Sequence, residues 1–437
     1  MTLRRKLPIT RHQLLAGIAS ASLLVVASCG SGSKSTSSTT KAPSTPASTS
    51  STTVPVASMD ELAATPPMGW NSWNQVRCYD LNEDVVKSAA DAIVRHGLDK
   101  LGYSYVVVDD CWQEPERAED GSLQPNKERF PSGLKSLADY VHDKGLKFGL
   151  YLSPGSETCA MQWDEYPGTG LGSFGHERQD AEMLRDIGVD YLKYDWCAAD
   201  ETDGLVPQEA FAHMRDELER LERPIVYSIS EYGKHQPWTW APGIAHMWRT
   251  TSDIAPSWGS ISHIINSQAE HYKYSGPGAW NDPDMLQVGN GELTDDEVRA
   301  HIGMWAMLAA PLMIGTDLDK VSPSVLEALS NPDVIAVDQD PLGQQARRVS
   351  LDNGAQVWVR ELEGGDLAVA LLNSTDAETK IATTLEELDA ESGPWKIRDL
   401  WTQSDEEPIG AEMTEPSDSV ISRKVPPHAM VMLRLSR

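Results

Sequence analysis

Tyr191–Cys197 reads YLKYDWC, an apolar-leaning strand that carries Lys193 and Asp195 two residues apart. Side chains two apart on a strand share a face, and a buried lysine or carboxylate is costly unless paired or put to use. A second aspartate, Asp253, closes WRTTSD, and the pair Asp109-Asp110 closes YSYVVVDD. Carboxylates at the ends of different strands, with no nucleotide-binding glycine loop and no metal-ligand cluster, suit hydrolysis of a glycosidic bond. One carboxylate attacks or activates water while the other protonates the leaving oxygen. Lys193 is expected to hold Asp195 ionised, as a nucleophile requires. The apolar approach to Asp253 predicts partial desolvation and a retained proton, as a general acid requires. Taken singly, either aspartate reads equally well as an ion-paired or helix-capping residue; the pair is what points to chemistry.

Such residues need a scaffold that brings strand ends together. From Pro67 to about Gly343 strand-like segments (MGWNSW, YSYVVVDD, FGLYLSPG, VDYLKYDW, PIVYSISE, HMWRTTSD, GAWNDPDM, LMIGTD) alternate with amphipathic helical ones. Several of the helical segments stop at glycine, as in RHG, DKG and DIG, the usual C-terminal signal. Eight such units predict an α/β fold, a (β/α)8 TIM barrel over residues 61–343. An open doubly wound sheet would want a glycine-rich loop after its first strand, where MGWNSWN offers tryptophan. The strands turn polar towards their C-terminal ends, at Asp109, Asp110, Tyr151, Ser153, Lys193, Asp195, Ser230, Glu231, Arg249, Asp253, Asp282, Asp284 and Asp317. In a barrel those ends converge on one face. After Gly343 the pattern shortens to AQVWVREL, DLAVALLN, KIRDLW and AMVMLRL between turn residues, which predicts a C-terminal antiparallel β-sandwich over 344–437.

The remaining features bound the setting. Residues 1–28 carry a basic start and the apolar run LLAGIASASLLVVAS, a signal peptide ending in the lipobox-like VASC. Cys29 is therefore the expected lipidation site, and Ser/Thr/Pro-rich residues 29–60 a disordered tether. This predicts an exported protein at the cell surface, touching the membrane only through that lipid, or else secreted. A formal net charge of −28 argues against a nucleic-acid partner. The other four cysteines, Cys78, Cys111, Cys159 and Cys197, predict two disulfides in an exported chain. Three pairings are open on spacing alone. A zinc site is the alternative, but no CxxC or paired histidines support it.

The motifs PPMGWNSWN, VVVDDCW, VDYLKYDWC, WRTTSD and GAWNDPDML, in that order, resemble glycoside hydrolase family 27, best known for α-galactosidases. The resemblance runs from Pro66 to about Gly343 and more weakly through the β domain. It implies a barrel followed by a β domain, no cofactor and no metal, and double displacement with retention of configuration. It implies Asp195 as nucleophile and Asp253 as acid/base. It also implies Asp109 and Asp110 on the sugar 4- and 6-hydroxyls, Lys193 on the 3- and 4-hydroxyls and Arg249 near the 2-hydroxyl. Trp73 would stack on the ring and Tyr151 would line the pocket. The implied disulfides are Cys78–Cys111 and Cys159–Cys197. Where plant relatives carry CEWG, this chain has SEYG, placing Ser230 and Tyr232 at the C2 side of the sugar. Serine there, with Gly233, resembles α-N-acetylgalactosaminidases, whereas Tyr232 leaves less room for an N-acetyl group and favours galactose. The intact Asp109-Asp110 pair argues against specialisation for arabinopyranosides. The loop ETCAMQWDEYPGTGLGSFGHE is longer than in plant relatives and is expected to shape the leaving-group side. The expected substrate is a terminal α-galactoside of an oligosaccharide or polysaccharide. The alternatives are another α-glycoside or a non-catalytic sugar-binding lipoprotein.

Overall fold

A computed structural model describes residues 62–410 and 419–437. The signal segment, Cys29 and the tether lie outside the described residues. Eight parallel strands follow one another around a ring: β1 (Met68–Asn71), β2 (Tyr105–Val108), β3 (Lys147–Leu152), β4 (Tyr191–Asp195), β5 (Val226–Ser230), β6 (Met247–Arg249), β7 (Trp280–Asp282) and β8 (Leu312–Ile314). β8 returns to pair with β1. The ring closes just beyond β7, where Leu286 bridges to Ile314 and its N–H donates to the Met313 carbonyl at 2.8 Å. All eight expected strands are present, but several are short. β6 ends at Arg249, so Asp253 stands in the following loop and not on the strand that WRTTSD suggested.

The barrel's inner face changes character along the strands. Tyr105, Val107, Tyr191, Val226, Met247, Trp280 and Met313 form one buried apolar cluster at the N-terminal end. Two residues further along the same faces come Asp109, Lys193, Ser228, Arg249 and Asp282. The alternate residues, among them Val106, Leu192, Tyr194, Ile229 and Trp248, face outwards into the main core with the helices. This two-residue alternation is why a strand can fill the barrel below and furnish a polar site above. Helix boundaries follow local signals. Asn82 caps Glu83–Arg95 by accepting the Asp84 and Val85 N–H groups, and Glu177–Ile187 ends at Gly188, whose φ of +93° suits glycine.

The C-terminal region is a sandwich. Its larger sheet runs β14 (Ser404–Ile409), β13 (Trp395–Asp399), β16 (Met430–Ser436), β11 (Leu367–Asn373), β10 (Ala355–Glu361) and β9 (Arg347–Asp352). β12 (Thr379–Thr384) and β15 (Val420–Val425) form the smaller sheet. Val357, Val369, Leu371, Ile381, Ile421, Leu433 and Leu435 fill the space between the sheets. Alternate residues Trp358, Ala370, Leu372 and Met432 join the barrel core instead. β11, LAVALLN, is buried on both faces, which explains its unbroken apolar run. β9, β12, β14 and β15 carry many polar side chains and were not evident from the sequence.

Candidate active site

A pocket of about 310 Å³ opens at the C-terminal ends of the barrel strands. Its wall includes Trp73, Asp109, Asp110, Tyr151, Lys193, Asp195, Tyr232, Arg249 and Asp253. Asp109 is clamped from two other strands and by its own chain neighbour: its Oδ2 accepts Asn71 Nδ2 at 2.6 Å and Lys193 Nζ at 2.8 Å, and its Oδ1 accepts the Asp110 N–H at 2.9 Å. Asp110 accepts the N–H groups of Cys111 and Ala160 at 2.7 and 2.8 Å, tying β2 to the short helix Cys159–Trp163. Burial outweighs those two N–H bonds and, with the charge of Asp109, pushes the Asp110 carboxyl up to about 6.

Lys193 Nζ also lies 3.8 Å from Asp195 Oδ2, while Tyr232 donates from Oη to Asp195 Oδ1 at 2.7 Å. Burial of Lys193 opposes its charge, but Asp109 and Asp195 outweigh this and hold it as a firm ammonium. Burial raises Asp195 more than Lys193 and Tyr232 lower it, and Asp253 and Asp109 raise it further, to about 7. Asp253 is the reverse case. Its side chain is 63% exposed and accepts a 3.1 Å hydrogen bond from Arg249. The pocket walls push the Asp253 carboxyl up. The charge of Arg249, then that of Lys193, and the Arg249 hydrogen bond together outweigh them and hold it below the usual carboxylate range. Both sequence expectations about protonation are therefore corrected for the unliganded pocket. The approach to Asp253 is solvent and a guanidinium, not apolar, and one lysine does not offset the burial of Asp195.

Other expectations also change. Ser230 is buried at the end of β5 and lines an adjoining small cavity of about 20 Å³, with Asp282 and Met313, that shares Lys193, Arg249, Asp284 and Met285 with the main pocket. It points inwards level with Asp195, its register partner on β4, and faces that smaller cavity rather than the main one. Ser153 Oγ is turned to the Glu157 carbonyl, and Glu231 accepts the His235 N–H. Asp317 pairs with Lys320 at 2.9 Å. None of the three lines the main pocket, because each satisfies a local loop instead. Asp284, Trp163, Asp164, Arg77 and Asn74 do line it and were not singled out as site residues. Asp284 holds Arg249 at 2.8 Å from a left-handed backbone (φ +86°). Burial outweighs Arg249 and, with the charges of Asp253 and Asp282, pushes it up to about 6. Its signal was the aspartate-rich strand end NDPD.

The disulfides are Cys78–Cys111 and Cys159–Cys197. The second stands in the wall itself: Cys159 lines the pocket, and Tyr151 Oη lies 3.2 Å from Cys197 Sγ and accepts the Cys159 N–H at 3.1 Å. Cys159, Cys197 and Asp195 are the only grouping of metal-ligand type among the described residues, and its sulfurs are bonded to each other. Tyr232 is positioned by backbone. It holds a φ of +62°, and Gly233 follows at +74°, where a Cβ would meet the Thr250 carbonyl at 2.2 Å.

A family model described as alpha galactosidase A matches residues 65–340, and one described as the alpha galactosidase C-terminal beta sandwich domain matches 352–435. The chain belongs to glycoside hydrolase family 27. An α-galactosidase of Cyamopsis tetragonoloba, a curated relative, is 43% identical over 82% of this chain and 85% of its own. Alpha-galactosidase A of Cellvibrio japonicus is 40% identical over 86% of this chain and 93% of its own. Among solved structures, α-galactosidase I from Mortierella vinacea superposes with a TM-score of 0.79 at 32% identity, over 86% of this chain and 98% of that one. Family 27 enzymes are retaining glycosidases, and this chain is an enzyme of that kind acting on terminal α-galactosides.

Proposed function

We propose that Asp195 is the nucleophile and Asp253 the acid/base of this family 27 α-galactosidase. The observation that carries the reading is that both carboxylates line one single-sugar pocket, close enough for the charge of Asp253 to act on Asp195. In the first step an Asp195 oxygen bonds to the anomeric carbon as the glycosidic C–O bond breaks. Asp253 gives its proton to the departing oxygen. In the second step Asp253, now a carboxylate, takes a proton from water as that water attacks the same carbon and Asp195 departs. Arg249 steadies the Asp253 carboxylate between steps, and Lys193 does the same for the departing Asp195. A bound sugar covers Asp253, removes its water and so raises its affinity for the proton it must donate.

Asp109 and Asp110 keep lone pairs on their oxygens for the sugar hydroxyls after their protein bonds are counted. The ring of Trp73 offers an apolar platform. Tyr232, fixed by its backbone and by its bond to Asp195, occupies the C2 side, which supports galactose over N-acetylgalactosamine. Ser230, buried beside Asp195 and facing the adjoining cavity, is assigned to support of the floor.

Turnover of 4-nitrophenyl α-galactoside, α-N-acetylgalactosaminide and β-arabinopyranoside tests this reading. Galactoside alone should be cleaved well; no turnover by folded protein would leave the sugar-binding alternative standing. Asp253→Ala should hurt substrates with poor leaving groups far more than aryl glycosides, and equal losses would remove it as the acid.

Two disulfides fit an oxidising, extracytoplasmic compartment. No helix among the described residues is long and apolar enough to cross a membrane. The natural ligand is read as a galactose-capped oligosaccharide or polysaccharide, met by an enzyme held at the surface through lipid on Cys29.

A further inference from the structure

The floor of the pocket accounts for one sugar ring, but its mouth is built from segments that the catalytic steps above leave unused. We propose that Trp163, with Arg77 and Asp164, forms a binding subsite for the departing pyranose ring, favouring galactosides whose leaving group is itself a sugar. The inference rests on the α-galactosidase reading of the same pocket.

Trp163 lines the pocket yet leaves 55% of its surface exposed. An indole face held open at the mouth of a sugar pocket matches the C–H face of a pyranose, which stacks on it at little entropic cost. The platform is also anchored. Trp163 ends the five-residue helix that begins at Cys159, and Cys159 is bonded to Cys197, two residues past Asp195. The loop behind it is held where Tyr166 Oη meets the carbonyls of Cys111 and Gln113 at 3.1 and 2.5 Å.

The polar half of the subsite comes from Asp164, the next residue after Trp163, and from Arg77 on a second segment. Arg77 precedes Cys78, whose disulfide runs to Cys111, the neighbour of Asp110. Its guanidinium lies 5.1 Å from the Trp73 ring and 3.9 Å from Asp164. That second separation is too long for a hydrogen bond. No closer polar partner of either side chain is found among the described residues, so donors and acceptors stay available for hydroxyls. The charge of Arg77 also acts on Asp253, which places this wall on the side of the acid that must reach the leaving oxygen. A ring leaving past Asp253 therefore meets one aromatic face and one donor–acceptor pair, carried on two segments that are each fastened by a disulfide.

The test compares kcat/KM for melibiose, whose leaving group is glucose, with α-galactosyl fluoride, whose leaving group has no ring. Trp163→Ala should lower the melibiose value by about tenfold more than the fluoride value, mainly through KM, the size expected for one lost stack. Trp163→Phe should recover most of it, and galactose inhibition should move far less than the melibiose KM. Asp164→Asn, made in parallel, should show the same split in weaker form. Equal losses on both substrates, or no loss on either, would overturn the subsite. Wild-type protein inactive on both would overturn the α-galactosidase reading itself, which separates the two failures.

Discussion

Replacing Tyr232 by Phe removes one hydroxyl and keeps the ring, the left-handed backbone and the neighbouring Gly233. The productive free enzyme needs Asp195 ionised and Asp253 protonated. In the unliganded pocket Asp195 is pushed up to about 7 while Asp253 is held below the usual carboxylate range. Between those two values the pair carries one proton, and that proton resides mostly on Asp195, so the productive arrangement is a minority of the population. Wild-type kcat/KM should therefore trace a bell whose alkaline limb lies near pH 7. The Tyr232 hydroxyl donates to Asp195 Oδ1 at 2.7 Å, and a hydrogen bond to a charged group contributes about 1.5–3 kcal/mol. Losing it destabilises the carboxylate and raises Asp195 by about 1–2 further pH units. The alkaline limb should move up by that amount, and the maximum should fall about 10- to 100-fold, because each unit shrinks the productive fraction tenfold. Above both limbs the two enzymes should converge, since Asp195 is then ionised in each. The assay is kcat/KM on melibiose, which needs the acid, from pH 4 to pH 10. A uniform loss at every pH, or an alkaline limb that stays put or moves down, would refute the assignment of that limb to Asp195.

Opening Cys159–Cys197 by the double change to serine frees a loop of 38 residues. It should cost about 4 kcal/mol on chain-entropy grounds, read as a lower thermal midpoint together with weaker turnover; unchanged values of both would deny the bridge any clamping role. Palmitate labelling of cells should mark the wild-type chain and not Cys29→Ser, and equal labelling would exclude Cys29 as the lipid site.

Much of the architecture was legible along the chain because it rests on local periodicity. Inward and outward positions alternate on each strand, so Tyr191, Lys193 and Asp195 necessarily share a face, and the shift from apolar to polar marks which barrel end is open. β11 was visible for a related reason, being buried on both faces. β9, β12, β14 and β15 were not, because edge and small-sheet strands satisfy their backbone by pairing and need little apolar pattern.

What only the tertiary structure decided are the contacts and the burial that folding assembles around each group. Which of three cysteine pairings forms depends on where loops from different strands meet. Ser153, Glu231 and Asp317 share the strand-end position of the catalytic candidates, yet turn to local loop partners. Ser230 stands level with Asp195 across the β4–β5 pairing yet faces the adjoining cavity, which its place in SEYG does not reveal. The ordering of the two aspartates is the sharpest case. Lys193 is adjacent in sequence, but the desolvation of Asp195 comes from the whole barrel, and the charge that holds Asp253 down comes from Arg249, four residues back. Residue type and spacing name the groups that can carry charge; the surrounding dielectric and counter-charges, assembled only on folding, decide which of them does.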